Sequence, residues 1–236
     1  IKHLYDNKMQ YATRKFIDAM MPNEKCRFSS IGTIEGIEKL GKASLEAAYQ
    51  KMLGDKKRVY VIGDFDEQTI IDAFHQLEIG ESSSESLDFL DLETKEIKEV
   101  NEVIEEQQNR QSIVLMGYRS EIRLNDDLYN AMTVFSGMLG GYFHSTLFQE
   151  IREKRSLAYS VNCDYNPRKG NLAIFAGISR EKYDEFKKVT CQIISDYQNG
   201  VIDEEVLALT KKSIISIDTM LKIVDVLGYT VKIEKK

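Results

Sequence analysis

The chain has 236 residues, 42% hydrophobic and 30% charged, with a formal net charge of -6. That length suits one large domain or two modest ones, either able to bury a real core, and the negative balance argues against a nonspecific phosphate-backbone binder. No apolar run approaches the roughly 20 residues needed to cross a bilayer, and no signal-peptide pattern opens the chain, so neither nucleic acid nor a membrane span is expected. Cys26, Cys163 and Cys191 are odd in number and far apart, without metal-ligand spacing. Reduced thiols in a cytoplasmic setting are the reading they favour.

Tyr5 to Met20 carries Met9, Ala12, Phe16 and Met20 near a 3.6-residue period, predicting an amphipathic helix that Pro22 ends. The chain begins with Ile1 in a stretch that already reads as helix interior, so a fragment is expected. Thr33 is placed to cap a short helix through Leu40, with Gly41 as its stop. Ser44 is placed to cap another, with Leu45, Ala48, Tyr49 and Met52 inward. Val59 to Ile62 predicts a short strand, and Asp66 a cap for a helix bearing Ile70, Phe74 and Leu77.

Residues 81–106 hold ten acidic residues against Lys95 and Lys98 and open on a serine-rich run. A solvated linker is expected there, between a first domain at 1–80 and a second at 107–236. Its later half, with Ile97, Val100, Val103 and Ile104, fits a helix or an edge strand. Ser112 to Tyr118 predicts a strand. Asn125 is placed to cap a helix with Leu128, Met132, Phe135 and Leu139 on one stripe, closed by Gly140 and Gly141, and Ser145 to cap the next. Leu157, Tyr159, Val161 and Cys163 alternate, Asn166 to Gly170 turns, and Leu172 to Ile178 alternates back, predicting a hairpin. Two helices follow, one marked by Tyr183, Phe186, Val189, Ile193 and Tyr197, the other capped by Asp203. The fold class is α+β, a mostly antiparallel sheet with helices packed on one face.

The run from Met138 to Val161, MLGGYFHSTLFQEIREKRSLAYSV, strongly resembles the second domain of a peptidase half of the insulinase/pitrilysin type. There an apolar helix, a double glycine, Ser-x-Leu-Phe, Arg-Glu and Leu-Ala-Tyr-Ser recur with fixed spacers. The likeness is strong from about Gln111 to Gly200, looser on either side, and fades beyond Ser213. It implies two related α+β domains per half, the first partial here and the second nearly complete. It also implies that two halves close around a peptide substrate.

In that family zinc is held by His-x-x-Glu-His and a distant glutamate, with the motif's own glutamate as general base. This chain has isolated His3, His75 and His144 and no such motif. The resemblance therefore puts zinc in a partner half or in a segment upstream of Ile1, and this chain alone is expected to be inactive. It resembles the zinc-free subunit of bacterial two-subunit, dimer-forming peptidases. By the same resemblance Arg152 and Tyr159, seven residues apart, hydrogen-bond the substrate backbone and the developing oxyanion. Gly140, Gly141 and Phe143 stand beside them as candidate substrate contacts, although two glycines also suit a helix end and turn. Arg152 beside Glu150 and Glu153 equally suits a surface charge compensating a helix dipole, and Tyr159 a core position. The alternatives are a structural paralogue with no part in turnover, or a fragment of an ordinary zinc peptidase.

Overall fold

The computed structural model describes residues 6–22, 24, 27–55, 60–76, 99–107 and 111–226, with side chains described up to residue 215. His3, Cys26, Val59, Leu77, residues 81–98 of the acidic stretch and residues 227–236 lie outside the described residues. The chain divides into two compact units, one at Phe28–Asp91 and one joining Lys2–Arg27 to Leu92–Lys236. The first long helix thus belongs with the later unit, although the sequence pattern groups it with the earlier one.

In the earlier unit three helices follow one another: α2 (Ile34–Glu38), α3 (Lys42–Gly54) and α4 (Glu67–Gln76). Thr33 caps α2 by accepting from the Gly36 N–H at 3.0 Å, and Asp66 caps α4 by accepting from the Thr69 N–H at 2.9 Å. Ser44 does not cap α3. It sits one turn in and accepts from the N–H of Gly41, which is the true N-cap. Leu45, Tyr49 and Met52, expected inward, are exposed within this unit, and residues 60–62 form no strand.

The later unit is built on three antiparallel strands, β1 (Ser112–Arg119), β2 (Ala158–Asn166) and β3 (Asn171–Ile178), in the order β1-β3-β2. The β2–β3 hairpin turns where predicted. Asn166 Oδ1 accepts from the Arg168 and Lys169 N–H groups, and Gly170 takes a φ of 60° that side chains rarely adopt. A Cβ there would lie 2.2 Å from the Ser120 carbonyl oxygen.

Alternation separates the two faces of the sheet. Leu172, Ile174, Ala176 and Ile178 of β3 join Val114, Met116 and Tyr118 of β1 beneath the main helical layer. That layer comprises α5 (Tyr129–Ser136), a wide π-type turn at Gly137–Gly141, a second at Phe148–Lys154, α6 (Tyr183–Gln198) and α7 (Glu204–Val226). Leu139, Leu147, Ile151, Ile174, Ile178 and Phe186 are fully buried. At about 25 cal/mol per Å² such burial dominates the stability of the domain. The fold is therefore α+β with an antiparallel sheet, as the sequence implies.

The other face of the sheet is met by α1 (Lys8–Met20). Asn7 caps this helix by accepting from the Gln10 N–H at 3.1 Å. Gly117 admits it: a Cβ at that position would lie 2.6 Å from Met20 Sδ and 2.7 Å from Phe16. Phe16 meets Phe175 with centroids 6.5 Å apart, and Arg119 at the strand end forms a buried ion pair with Glu24.

Residues 99–107 are neither helix nor strand, so both expectations for that stretch are set aside. Three of its acidic side chains are engaged instead. Glu105 pairs with Lys15 at 2.8 Å and accepts from the Tyr11 hydroxyl at 2.8 Å. Glu102 accepts from Tyr183 at 2.5 Å and pairs with Lys187 at 2.9 Å, and Glu106 pairs with Arg180.

Candidate functional site

Two local departures from regular structure shape the region from Phe143 to Tyr159. The first closes the wide turn at Phe148–Lys154. Leu157 N–H reaches back to the Ile151 carbonyl at 2.8 Å and Ser156 N–H to Arg152 at 3.1 Å, with Ser156 at a φ of 50°. A left-handed serine costs about 1–2 kcal/mol, and the buried Leu157 and Ile151 on either side hold it there.

The second is a bulge in β2. Ala158 pairs with Ile178 and Ser160 with Gly177, so Tyr159 is an extra residue with no partner on β3. Simple alternation with Val161 and Cys163 would bury Tyr159. The bulge instead turns it outward, leaving it 59% exposed, with its hydroxyl 3.1 Å from Ser179 Oγ. The core reading of Tyr159 is thereby excluded.

Arg152 is also exposed. Its guanidinium lies over the Phe148 ring, 4.7 Å from the centroid, and Phe148 in turn meets Phe143 edge-on at 5.2 Å. Phe143 is 76% exposed, and its carbonyl accepts from Gln149 Nε2 at 2.7 Å. Glu150 is occupied by Lys154 at 2.6 Å and Arg155 at 3.6 Å, which leaves Arg152 with Glu153 at a loose 3.8 Å. An exposed pair of that length contributes little. Arg152, Phe148 and Phe143 therefore form one contiguous cation–aromatic surface. Among the described residues no hydrogen bond, ion pair or ring contact joins Arg152 directly to Tyr159.

The two glycines part company. Gly140 is buried, and a Cβ there would lie 2.6 Å from the Cys163 Cβ and 2.7 Å from its backbone nitrogen. Neither glycine has a positive φ, so close approach of helix to strand, and not a left-handed helix end, requires Gly140. Gly141 is exposed. His144 is bonded to Thr210 Oγ1 on α7 at 3.1 Å and stacked on Tyr142. Ser145 is buried, and among the described residues its hydroxyl has no hydrogen-bond partner, so it lends no side-chain cap. Burial pushes the Cys163 thiol up to about 12, against a weaker lowering by a hydrogen bond with Ser136, which suits a packing residue. Sequence reading missed Phe148 and Ser179. Phe148 stood inside the quoted motif, four residues before Arg152, which is one helical turn.

Residues 39–214 match the model of the peptidase M16 inactive domain, most of the chain. The chain belongs to this family. A probable inactive metalloprotease, YmfF of Bacillus subtilis, is 30% identical over 89% of the chain and 50% of its own length. An uncharacterized zinc protease of Mycobacterium tuberculosis is 34% identical over 36% of the chain. Among solved structures, a conserved protein of Enterococcus faecalis superposes with a TM-score of 0.80 at 25% identity, over 93% of this chain and 52% of that one. The peptidase M16 inactive domain of Pseudomonas fluorescens does so at 0.67 and 18% identity, over 91% and 52%, and shares the fold. The chain thus spans about half the length of the Bacillus relative and of the two solved structures.

Zinc is named for the Mycobacterium relative, and the described residues of this chain offer it no ligand set. Among them no group of three or more His, Cys, Asp or Glu side chains is placed to hold a metal, and His75 and His144 lie in different units. No described helix is long and apolar enough to cross a membrane.

Proposed function

We propose that this chain is the zinc-free, substrate-holding part of a two-half peptidase, presenting Arg152 and Tyr159 to an extended peptide that a zinc-bearing half hydrolyses. The observation that carries the reading is the bulge. It spends an unpaired residue to move a phenol out of the core and into solvent, seven residues after an arginine whose charge is only loosely engaged. Bulges commonly re-aim a side chain beside an active site. In this role the guanidinium donates to a substrate backbone carbonyl and the phenol to the oxyanion as charge develops on it. Phe143 and Phe148 offer an apolar bed for a neighbouring side chain, while Gly140 acts through packing and Gly141 lies open to the chain that passes. The peptide itself is held by strand addition at a sheet edge. Free Cys163 and Cys191 support a cytoplasmic setting.

The domain division proposed with it, drawn along the sequence and distinct from the packing that joins Lys2–Arg27 to the later unit, keeps a partial first domain at 1–80, an acidic connection at 81–106 and a second domain at 107–236. The test is reconstitution with a zinc-bearing half of the family, confirmed by size-exclusion chromatography and assayed on a quenched-fluorescence peptide library. Tyr159→Phe and Arg152→Ala should each slow cleavage by about 10²-fold, with zinc content unchanged. Full turnover in both variants would leave a scaffolding paralogue, the reading favoured by similarity to a relative described as probably inactive. Zinc-dependent cleavage by the longer natural chain alone would point to an ordinary peptidase of which this is a piece.

A further inference from the structure

The short turn that follows β3 touches both irregular points of the Arg152–Tyr159 connection. Ser179 Oγ lies 3.1 Å from the Tyr159 hydroxyl, and Lys182 Nζ donates to the Ser156 carbonyl at 2.6 Å. Between them Arg180 pairs with Glu106 of the acidic segment, and one turn further Tyr183 and Lys187 both bind Glu102. Ser179 and Lys182 are half-buried, whereas Tyr159 and Ser156 are exposed. The more buried pair therefore steadies the more exposed one.

We propose that Ser179 and Lys182 are positioning residues for Tyr159, an inference that rests on the reading that Tyr159 meets substrate. A bulged residue has no ladder partner, so nothing in the sheet fixes where its side chain points. Ser179 supplies that anchor. If its hydroxyl donates to the phenolic oxygen, the phenol's own O–H is left to point outward. It is then also a stronger donor, because hydrogen bonds in series polarise one another. Lys182 acts one link earlier. Its ammonium grips the carbonyl of the left-handed residue that ends the Arg152 turn, which fixes how the chain enters β2. The pairing of Arg180 with Glu106 ties this turn to residues 99–107, so the start of β2 is braced by a segment about 50 residues upstream of it in sequence.

Two measurements test this. Tyrosine labelled with ¹³C at Cζ, with the Tyr159 signal assigned by its loss in Tyr159→Phe, should show that signal moving in Ser179→Ala and returning in Ser179→Thr. The other tyrosine signals should stay in place. In the reconstituted pair on the same peptide library, Ser179→Ala should lower kcat by about three- to tenfold with KM little changed. It should have no further effect in a Tyr159→Phe background. Lys182→Met should lower kcat about threefold, and Lys182→Arg should restore it. If Tyr159→Phe is slow but Ser179→Ala is not, the positioning role falls and the site stands. If Tyr159→Phe cleaves at the full rate, both fall. An unmoved Tyr159 signal in Ser179→Ala overturns the anchor by itself.

Discussion

The two units of the chain are made of similar residues and end up in very different states. Residues 111–215 surround a continuous core in which Leu139, Leu147, Ile174 and Phe186 are sealed from water. In the earlier unit, α2, α3 and α4 form where the sequence pattern puts helices, with Thr33 and Asp66 capping as predicted and Gly41 in the place expected of Ser44, yet none of their described residues is buried. The α3 stripe of Leu45, Tyr49 and Met52 has the spacing of a core-facing helix and faces solvent within its own unit. Helical periodicity records which face a helix offers to a partner; it does not supply the partner. The later unit contains its own partners for every such face it makes from β1 to α6.

The sharpest way to break this comparison is a pair of large-to-small substitutions. Phe186→Ala should cost about 3–5 kcal/mol and Leu147→Ala about 2–5, read as a loss of midpoint in denaturant unfolding, because each leaves a cavity that close-packed neighbours cannot fill. Leu45→Ala or Met52→Ala should move the same midpoint by about 0.5 kcal/mol or less. Comparable losses in the two sets would show that α3 is covered by residues of this chain. Next in size is the buried ion pair. Glu24→Ala strands the Arg119 guanidinium, whose Nε and Nη2 lack partners among the described residues, and Arg119→Met takes the cation from the buried Glu24 carboxylate; each should cost about 3–5 kcal/mol, whereas replacing both with apolar residues should cost less.

Gly140→Ala comes third, at about 1–3 kcal/mol of overpacking against Cys163, measured by the same unfolding curves. Gly141→Ala, with nothing nearer than 3.5 Å, serves as its control. The smallest effect is electrostatic. Hydrogen bonds from Tyr183 and Lys187 hold Glu102 below the usual carboxylate range, and those from Lys15 and Tyr11 do the same for Glu105. Each therefore contributes stability above the ordinary glutamate pKa, and that contribution is lost as pH falls through the depressed value. Glu102→Gln with Glu105→Gln should flatten the fall in melting temperature between about pH 5 and pH 3, modestly because both are exposed.

These contrasts also show what a sequence can and cannot reveal. The hairpin was legible because Asn166 to Gly170 has the chemistry of a turn and both strands alternate. Capping by Thr33, Asp66 and Asp203 was legible because each side chain acts on backbone three residues away. Asn125 failed as a cap because its neighbour Asp126 accepts from the Leu128 N–H, which starts α5 later and leaves Leu128 exposed. The placement of α1 on β1 was not legible, since the room for it is made by Gly117, about 100 residues away in sequence. The candidate site was legible as a motif but not as a shape. Alternation left Tyr159 a core position as an alternative to a cleft-facing one, because a period-two pattern carries no mark for an inserted residue.

That insertion has an architectural corollary. With Tyr159 omitted, Ala158, Ser160 and Val161 would face Ile178, Gly177 and Ala176 in unbroken succession. The ladder has no use for the phenol. A chain lacking that one residue should fold with a regular strand and melt no earlier, and what it surrendered would be whatever the protruding ring does for molecules outside it.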